Sequence, residues 1–229
     1  MIYIGLDDTD NQDSRGTGRL ARAIATDLMK DYVMLGVTRH QLLVDARIPY
    51  TSHNSSAAIH LETDGATGLP VLFERVKAIM LADFVPGSDP GLCVAAGPIP
   101  PALIEFGRRA QREVVGQAEA RSLAETHPVL LAGLAGTQDG VIGSLAAIGL
   151  AASGEDGRYL QVGKSREMSG LQDVSAVLQA GIAEVLTLEG MPVEQGPVLS
   201  DKLRPARRNS RPILYVEWQE DHWQPIRLA

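Results

Sequence analysis

The hydrophobic positions of the chain alternate between short continuous runs and helical spacings. Met1–Leu6 is a continuous apolar run that predicts a buried strand, whereas Leu20, Ile24 and Leu28 recur with the period of a helix. The same two patterns continue downstream. They predict strands over 35–48, 57–61, 92–96 and 212–218, and helices over 71–82, 101–117, 141–152 and 174–186. This mixed order of strands and helices predicts an α/β or α+β fold.

A turn-rich segment at 85–91 separates two stretches of regular structure. The 229-residue chain is 45% hydrophobic, which is enough for a sizeable core in one or two domains. Proline and glycine cluster in this segment, so we place a boundary near residue 85, with domains over 1–85 and 86–229. The second domain is predicted to end in a basic, turn-rich tail at 202–211 before the last strand.

The amino-acid composition favours one cellular compartment for the protein. The single cysteine, Cys93, excludes an intrachain disulfide framework and a cysteine-based zinc site, which favours the reducing cytoplasm. No apolar run reaches the roughly 18 residues of a membrane span, and the N-terminus lacks the pattern of a signal peptide. We therefore expect a cytoplasmic protein with no membrane partner.

Charge argues against a long nucleic-acid surface. The net charge is −7 and aromatic residues make up 4% of the chain, so basic footprints and base-stacking platforms are both scarce. Four arginines at 204, 207, 208 and 211 form a local basic cluster, which is compatible with an RNA contact or with a solvated linker. We expect small-molecule partners and disfavour RNA, and a homo-oligomer stays open.

Three carboxylates follow the first predicted strand, at Asp7, Asp8 and Asp10. Crowded negative charges repel one another unless a cation, hydrogen bonds or solvent offsets the repulsion. Mg²⁺ favours one or two carboxylates together with phosphate oxygens and water. The three aspartates therefore predict a Mg²⁺ site that serves a bound nucleotide. The alternative is a solvated acidic turn that caps the following helix.

The loop after the aspartates has the composition of a phosphate-binding loop. Arg15, Gly16, Thr17 and Gly18 combine a cation, a hydroxyl and two glycines that allow a ligand to approach closely. The Gly-Lys-Ser/Thr ending of a Walker A loop is absent. The helix that follows is predicted to point its positive end at the strand-end carboxylates. An ordinary turn is the alternative explanation of the two glycines.

Further candidate residues come from polar loops and a segment rich in small residues. His53 is a candidate acid or base, and a ligand-binding role is assigned to Asn54, Ser55, Asp89, Gly140, Gly143, Ser144 and Lys164. If a helix begins near Gly140, its free N–H groups are suited to an anionic substrate group. The structural alternatives are a solvent-facing histidine, a turn at Asp89, dense helix packing and a solvated lysine.

Four motifs in order resemble the archaeal tRNA(Ile2) agmatidine synthetase family. They are Ile4–Asp10, Ile48–Ser55, Ser88–Gly91 and Gly140–Gly149, and together they span residues 4 to 149. The resemblance implies a kinase-like N-terminal domain followed by a ferredoxin-like domain. It also implies an enzyme that uses ATP to phosphorylate the C2 carbonyl oxygen of a tRNA cytidine, after which the amine of agmatine displaces the phosphate.

Carried over by position, the resemblance assigns Mg²⁺ and nucleotide phosphates to Asp7, Asp8 and Asp10. Thr17 falls in the loop where the family has a phosphorylatable threonine. The chain resembles a short form, because it ends at residue 229 and lacks the OB-type domain and the cysteine-rich zinc ribbon with which longer members grip tRNA. The loop at 50–55 also lacks the two cationic residues that family members carry there.

These departures leave three hypotheses. The first is a Mg²⁺- and ATP-dependent phosphoryl-transfer enzyme that activates a carbonyl or hydroxyl oxygen of a small-molecule or nucleobase acceptor. The second is an RNA-modifying enzyme that grips RNA through a partner chain or an oligomer. The third is a nucleotide-binding protein without turnover. The missing tRNA-gripping domains favour the first hypothesis.

Overall fold

The chain forms two compact units, Met1–Ser153 and Gly154–Ala229. This computed structural model describes residues 1–11, 16–49, 53–62 and 68–228. Both units mix helices with strands, which confirms the predicted α/β or α+β class. The boundary predicted near residue 85 lies inside the first unit, because the strands on either side of it pair with each other. The observed division falls between residues 153 and 154 instead.

The first unit is a sheet of five strands covered by helices. The strands are β1 (Ile2–Asp7), β2 (Met34–Gln41), β3 (Ser55–Leu61), β4 (Gly91–Ala96) and β5 (Val129–Gly133). The helices are α1 (Thr17–Leu28), α2 (Leu69–Ala82), α3 (Pro101–Ala110), α4 (Gln117–Thr126) and α5 (Gly140–Ser153). The strand order is β5-β4-β1-β3-β2, and each neighbouring pair is antiparallel. Strand β1 is therefore central, which explains its continuous apolar run.

Helix α5 lies unusually close to the sheet. A Cβ atom added to Gly5 would lie 2.0 Å from the carbonyl oxygen of Ser144, and one added to Gly91 would lie 2.0 Å from Gly140. The absence of side chains at these positions lets the backbone of α5 contact the backbones of β1 and β4. This close packing brings the N-terminal turn of α5 to the end of β1 that carries Asp7.

Three predicted elements differ from those observed. The helix predicted over 101–117 is two helices, α3 and α4, because the chain leaves helical geometry before Gly116. The helix predicted over 174–186 stops at Gln179, because Gly181 adopts a φ of 104°. The strand predicted over 35–48 ends at Gln41. In the first two cases a local backbone interruption ends a hydrophobic pattern that is itself compatible with a longer helix.

The second unit is rich in short strands. Its strands are β6 (Arg158–Gln161), β7 (Leu171–Asp173), β8 (Glu184–Leu186), β9 (Pro197–Leu199), β10 (Ala206–Arg208), β11 (Arg211–Gln219) and β12 (His222–Pro225), with one helix, α6 (Val174–Gln179). The pairing order is β6-β10-β11-β12-β9-β7, and β8 pairs with β11. Val174, Val177, Leu214 and Val216 belong to its buried core. Within the predicted basic, turn-rich tail at 202–211, Ala206–Arg208 form β10, which pairs with both β6 and β11, and turns lie before and after this strand.

Candidate active site

The candidate site lies where β1 ends beside α5. Asp7 is the last residue of the strand, and Asp8 turns the chain sharply with a φ of 48°. A positive φ is strained for a residue with a side chain, and such strain concentrates at functional sites. Both aspartates line the same cavity. The end of β1 therefore presents two adjacent carboxylates in a backbone geometry that the surrounding structure has to maintain.

Asp10 has a different role, because it fixes the start of α1. The Thr17 hydroxyl donates to Oδ1 of Asp10 at 2.8 Å, and the backbone N–H of Thr17 donates to the same oxygen at 3.3 Å. The hydroxyl of Thr9 donates to Oγ1 of Thr17 at 3.1 Å, and both threonines are buried. A carboxylate in this position caps the helix and interacts favourably with its positive end. The capping alternative therefore describes Asp10, which also lines the cavity.

A cavity of about 250 Å³ adjoins these carboxylates. Among the sequence-predicted site residues, those that line it are Asp7, Asp8, Asp10, His53, Asn54, Gly140 and Gly143. Arg47, Glu113, Gln117 and Asp139 also line the cavity. Sequence reasoning missed these four residues, because no motif marks them and only the fold brings their segments to the end of β1.

Burial and mutual repulsion disturb the two leading carboxyl groups. Burial, followed by the negative charges of Asp8 and Asp10, raises the pKa of Asp7 to about 8. Burial, followed mainly by the charges of Asp89 and Asp10, raises the pKa of Asp8 to about 6. Such values show that the described protein groups leave the negative charge at this strand end largely uncompensated. A bound cation would supply the compensation.

The donor set fits a Mg²⁺ ion that is shared with phosphate oxygens. Within the described residues, no group of three or more histidine, cysteine, aspartate or glutamate side chains forms a ready-made metal site. Mg²⁺ needs only one or two carboxylates when phosphates and water complete its octahedral shell. Asp7 and Asp8 meet that requirement, whereas Asp10 is already held by Thr17.

Gly143 makes room for the Asp7 carboxylate. A Cβ atom at residue 143 would lie 1.8 Å from Oδ2 of Asp7 and 2.4 Å from its Cγ. Since real Cβ atoms do not approach other atoms so closely, the Asp7 side chain occupies the space that any other residue at 143 would need. Gly143, for which a ligand-binding role was predicted, therefore supports the site by leaving space for the Asp7 side chain.

The N–H groups at the start of α5 are not free, contrary to the sequence-based expectation. The N–H of Gly140 donates to the Asp89 carbonyl oxygen at 3.1 Å, and the N–H of Ile142 donates to the Asp139 carbonyl oxygen at 2.9 Å. Ser144 is fully buried, and its hydroxyl donates to the Val141 carbonyl oxygen within the helix. Because these donors are used within the protein, the helix start supports the site by its position.

Asp89 serves the turn before α5. The backbone N–H of Thr137 donates to its Oδ1 at 2.6 Å, and the Thr137 hydroxyl donates to its Oδ2 at 2.9 Å. Asp89 is absent from the cavity lining. Its negative charge still acts on the site, since it is the largest charge contribution to the raised pKa of Asp8.

The loop that carries His53 is held by backbone and side-chain hydrogen bonds. The Asn54 side chain donates to the Leu43 carbonyl oxygen at 2.6 Å, and the Ser55 hydroxyl accepts a hydrogen bond from Nε of Arg39 at 2.8 Å. His53 itself is exposed at the cavity lining. Asn54 and Ser55 therefore help to position the loop, and His53 and Asn54 both line the cavity.

The remaining predicted residues lie outside the cavity lining or outside the described residues. Gly16 precedes α1 with a φ of 71°, and Gly18 lies in the first turn of that helix. Arg15 is not among the described residues. Lys164 is an exposed residue of the second unit, whereas every residue that lines the cavity belongs to the first unit. The structure therefore does not bring Lys164 into this group of residues.

No family model matches the chain, and no curated protein matches it. Several solved structures do match the chain. A tRNA fluorescent labeling enzyme matches with a TM-score of 0.57 and 23% identity, over 65% of this chain and 35% of that one. The complex of TiaS with tRNA(Ile2) and ATP matches with a TM-score of 0.57 and 22% identity, over 65% of this chain and 36% of that one.

A further TiaS complex, with tRNA(Ile2), AMPCPP and agmatine, matches with a TM-score of 0.53 and 23% identity. TiaS is tRNA(Ile2) agmatidine synthetase. About 65% of the chain shares the fold of about a third of that enzyme. This finding confirms the resemblance that the four sequence motifs predicted, at the level of the fold. The chain spans about a third of the length of these proteins. Within the part of this chain that the structure describes, no helix has the length and apolar character to cross a membrane.

Proposed function

We propose that the first unit binds Mg²⁺ and ATP and transfers a phosphoryl group to a carbonyl or hydroxyl oxygen of an acceptor. The pair of carboxylates at the end of β1 carries this proposal. Asp7 and Asp8 adjoin a cavity, and their raised pKa values indicate negative charge that a cation would offset. The shared fold with an enzyme whose structure contains ATP supports the same assignment.

Each described residue has a role that follows from its position. Asp7 and Asp8 would hold Mg²⁺, which would offset their charge and that of the phosphate groups of a bound nucleotide. Arg47 also lines the cavity, where its guanidinium can accompany the phosphates while remaining paired with Asp45. His53 is exposed at the cavity and accepts the proton of an attacking hydroxyl or amine. Thr17 and Asp10 fix the start of α1.

The acceptor is proposed as a small molecule or a nucleobase. A cavity of about 250 Å³ has room for a terminal phosphate and a compact acceptor group, but not for a folded polynucleotide. The second candidate is modification of RNA, with further grip supplied by a partner chain or an oligomer. The solved tRNA(Ile2) complexes of TiaS favour this candidate, because the proteins that share the fold bind tRNA.

The test uses the full chain with Mg²⁺ and ATP, followed by phosphorus NMR and intact mass. We expect ADP or AMP to accumulate, or the chain to gain a phosphate, when cytidine, short RNA or tRNA is offered together with an amine. Asp7→Ala and Asp8→Ala should each abolish turnover. Asp83→Ala removes an exposed carboxylate at the end of α2 and should have no effect.

The outcomes distinguish the three candidate functions and can refute the site. Turnover with free cytidine supports a small acceptor, and turnover with tRNA alone supports RNA modification. Binding of ATP without turnover against any acceptor supports a nucleotide-binding protein. If ATP neither binds nor reacts, or if Asp83→Ala lowers turnover as much as Asp7→Ala does, the proposed site is refuted.

A further inference from the structure

A basic crevice lies in the second unit and is lined by residues that do not line the first cavity. Lys202, Arg204 and Arg227 line it, and its volume is about 50 Å³. Asp201 is the one carboxylate among the residues that line it, and its Oδ1 accepts the backbone N–H of Gly170 at 3.3 Å. Three cations thus surround a small space in which one carboxylate is already engaged.

Among the cations that line the crevice, Lys202 and Arg227 carry positive charges that the described parts of the protein do not neutralise. Neither Lys202 nor Arg227 forms an ion pair with any described residue, and the same holds for Arg158. Arg211, elsewhere in the same unit, pairs with Glu184. Arg158 is partly buried, and its pKa is lowered by burial and then by the charge of Arg227. These two guanidinium groups therefore repel each other in the absence of an anion.

The backbone on both sides of the crevice is held in place. Lys202 has a φ of 54°, and the next residue, Leu203, is buried. On the other side, the N–H of Ile226 donates to the Tyr215 carbonyl oxygen at 2.8 Å, which fixes the chain next to Arg227. The cations are therefore attached to a defined scaffold, so little ordering of the backbone is needed when an anion binds.

We propose that this crevice binds a phosphate group. Arginine offers a planar fork of N–H donors that matches phosphate oxygens, and lysine adds a compact charge. The phosphate group that binds here can belong to either of two ligands, an internucleotide phosphate of RNA or a free phosphate ion. This inference stands apart from the proposed function, because the residues that line the first cavity all belong to Met1–Ser153.

The chain contains a fluorescent reporter close to the crevice. Its two tryptophans, Trp218 and Trp223, both lie in the β11–β12 hairpin of the second unit. Trp223 immediately precedes Gln224, which lines the crevice. Binding can therefore be followed by intrinsic fluorescence when the full chain is titrated with inorganic phosphate. Binding of RNA is measured separately, by the fluorescence anisotropy of a labelled single-stranded RNA hexamer.

Arg227→Gln and Arg211→Gln form a matched pair, because both remove one exposed arginine of the same unit. We expect Arg227→Gln to weaken binding at least tenfold, and Arg211→Gln to change it less than twofold. For the hexamer, Arg227→Gln should also reduce the magnitude of the salt dependence by about 0.7 to 1 in the slope of log K against log salt. Arg227→Lys should restore part of the affinity, because it returns the charge without the fork. Circular dichroism checks that all three variants are folded.

Binding of the hexamer with no binding of free phosphate assigns the crevice to RNA, whereas binding of free phosphate alone assigns it to a small anion. The proposal is overturned if neither probe binds the wild-type chain at about 1 mM, the weak end of specific affinity. It is also overturned if Arg211→Gln weakens binding as much as Arg227→Gln does, since the attraction would then be a diffuse property of the unit.

Discussion

Replacing Asp7 with asparagine should stabilise the free protein at neutral and alkaline pH while it removes a proposed cation ligand. Asparagine has nearly the same shape as aspartate but cannot ionise, so the substitution isolates the charge. In the native protein the pKa of Asp7 is raised to about 8, first by burial and then by the charge of Asp8. Unfolding returns the carboxyl group to its ordinary pKa near 3.9.

The sign and size of the effect follow from this difference. A raised native pKa means that the folded state keeps a proton that the unfolded state releases. The contribution to stability is therefore complete below about pH 4 and is lost as the pH rises to about 8. Each pKa unit corresponds to about 1.4 kcal/mol, which gives an upper limit of about 6 kcal/mol. Because the carboxylate is only partly buried, solvent screening lowers the expected stabilisation to about 2–3 kcal/mol at pH 8.

Urea unfolding of the metal-free protein at about pH 5 and about pH 8 measures this difference. Asp83→Asn, which removes an exposed carboxylate, controls for the general loss of one negative charge. Saturating Mg²⁺ and ATP should then stabilise the wild type, by about 2.7 kcal/mol at a hundred times the Kd, and leave Asp7→Asn unchanged. If Asp7→Asn changes the free energy of unfolding by the same amount at both pH values, burial does not raise the pKa of the Asp7 carboxyl group as described above.

Three other substitutions test the surroundings of the carboxylates. Gly143→Ala puts a methyl group 1.8 Å from the native position of Oδ2 of Asp7, and we expect at least a tenfold weaker affinity for Mg²⁺ and ATP by calorimetry. Thr17→Val removes the buried hydroxyl that bonds Asp10, which should lower the free energy of unfolding by about 1–3 kcal/mol in a urea titration. Asp89→Ala removes both hydrogen bonds from Thr137, and we expect a thermal midpoint lower by several degrees, in line with a loss of about 1–2 kcal/mol. An unchanged midpoint for Asp89→Ala would contradict its role in the turn.

Helices and strands whose hydrophobic pattern lies within a single segment of the sequence were predicted correctly. The apolar run at the N-terminus is β1, and the helical spacing of Leu20, Ile24 and Leu28 corresponds to the buried face of α1. The segment around Gly143 is a helix, as predicted. In each case the period of the hydrophobic residues matches a single regular element, and no long-range contact is needed to define it.

Long-range pairing limited the other predictions. The turn-rich segment at 85–91 has the composition of a domain boundary, but β4 follows it and pairs with β1 along six residues. Likewise, Asp89 bonds Thr137 across 48 positions, a partner that no local pattern indicates. The cavity lining combines Arg47 with Glu113, which the fold brings together from distant parts of the sequence. Such contacts become visible only when the sheet order is known.

Because α5 contacts β1 so closely, the residues around the cavity differ in their tolerance to substitution. On the α5 side, Gly5 and Gly143 leave no room for a single added carbon, so the carboxylates and their support have to be retained together. Arg47 and Glu113 line the same cavity from connecting segments, and Gln117 lines it from the start of α4. Under the proposed function, substitutions at these three residues can alter the choice of acceptor while Asp7 and its support stay constant, so that specificity can evolve separately from the reaction.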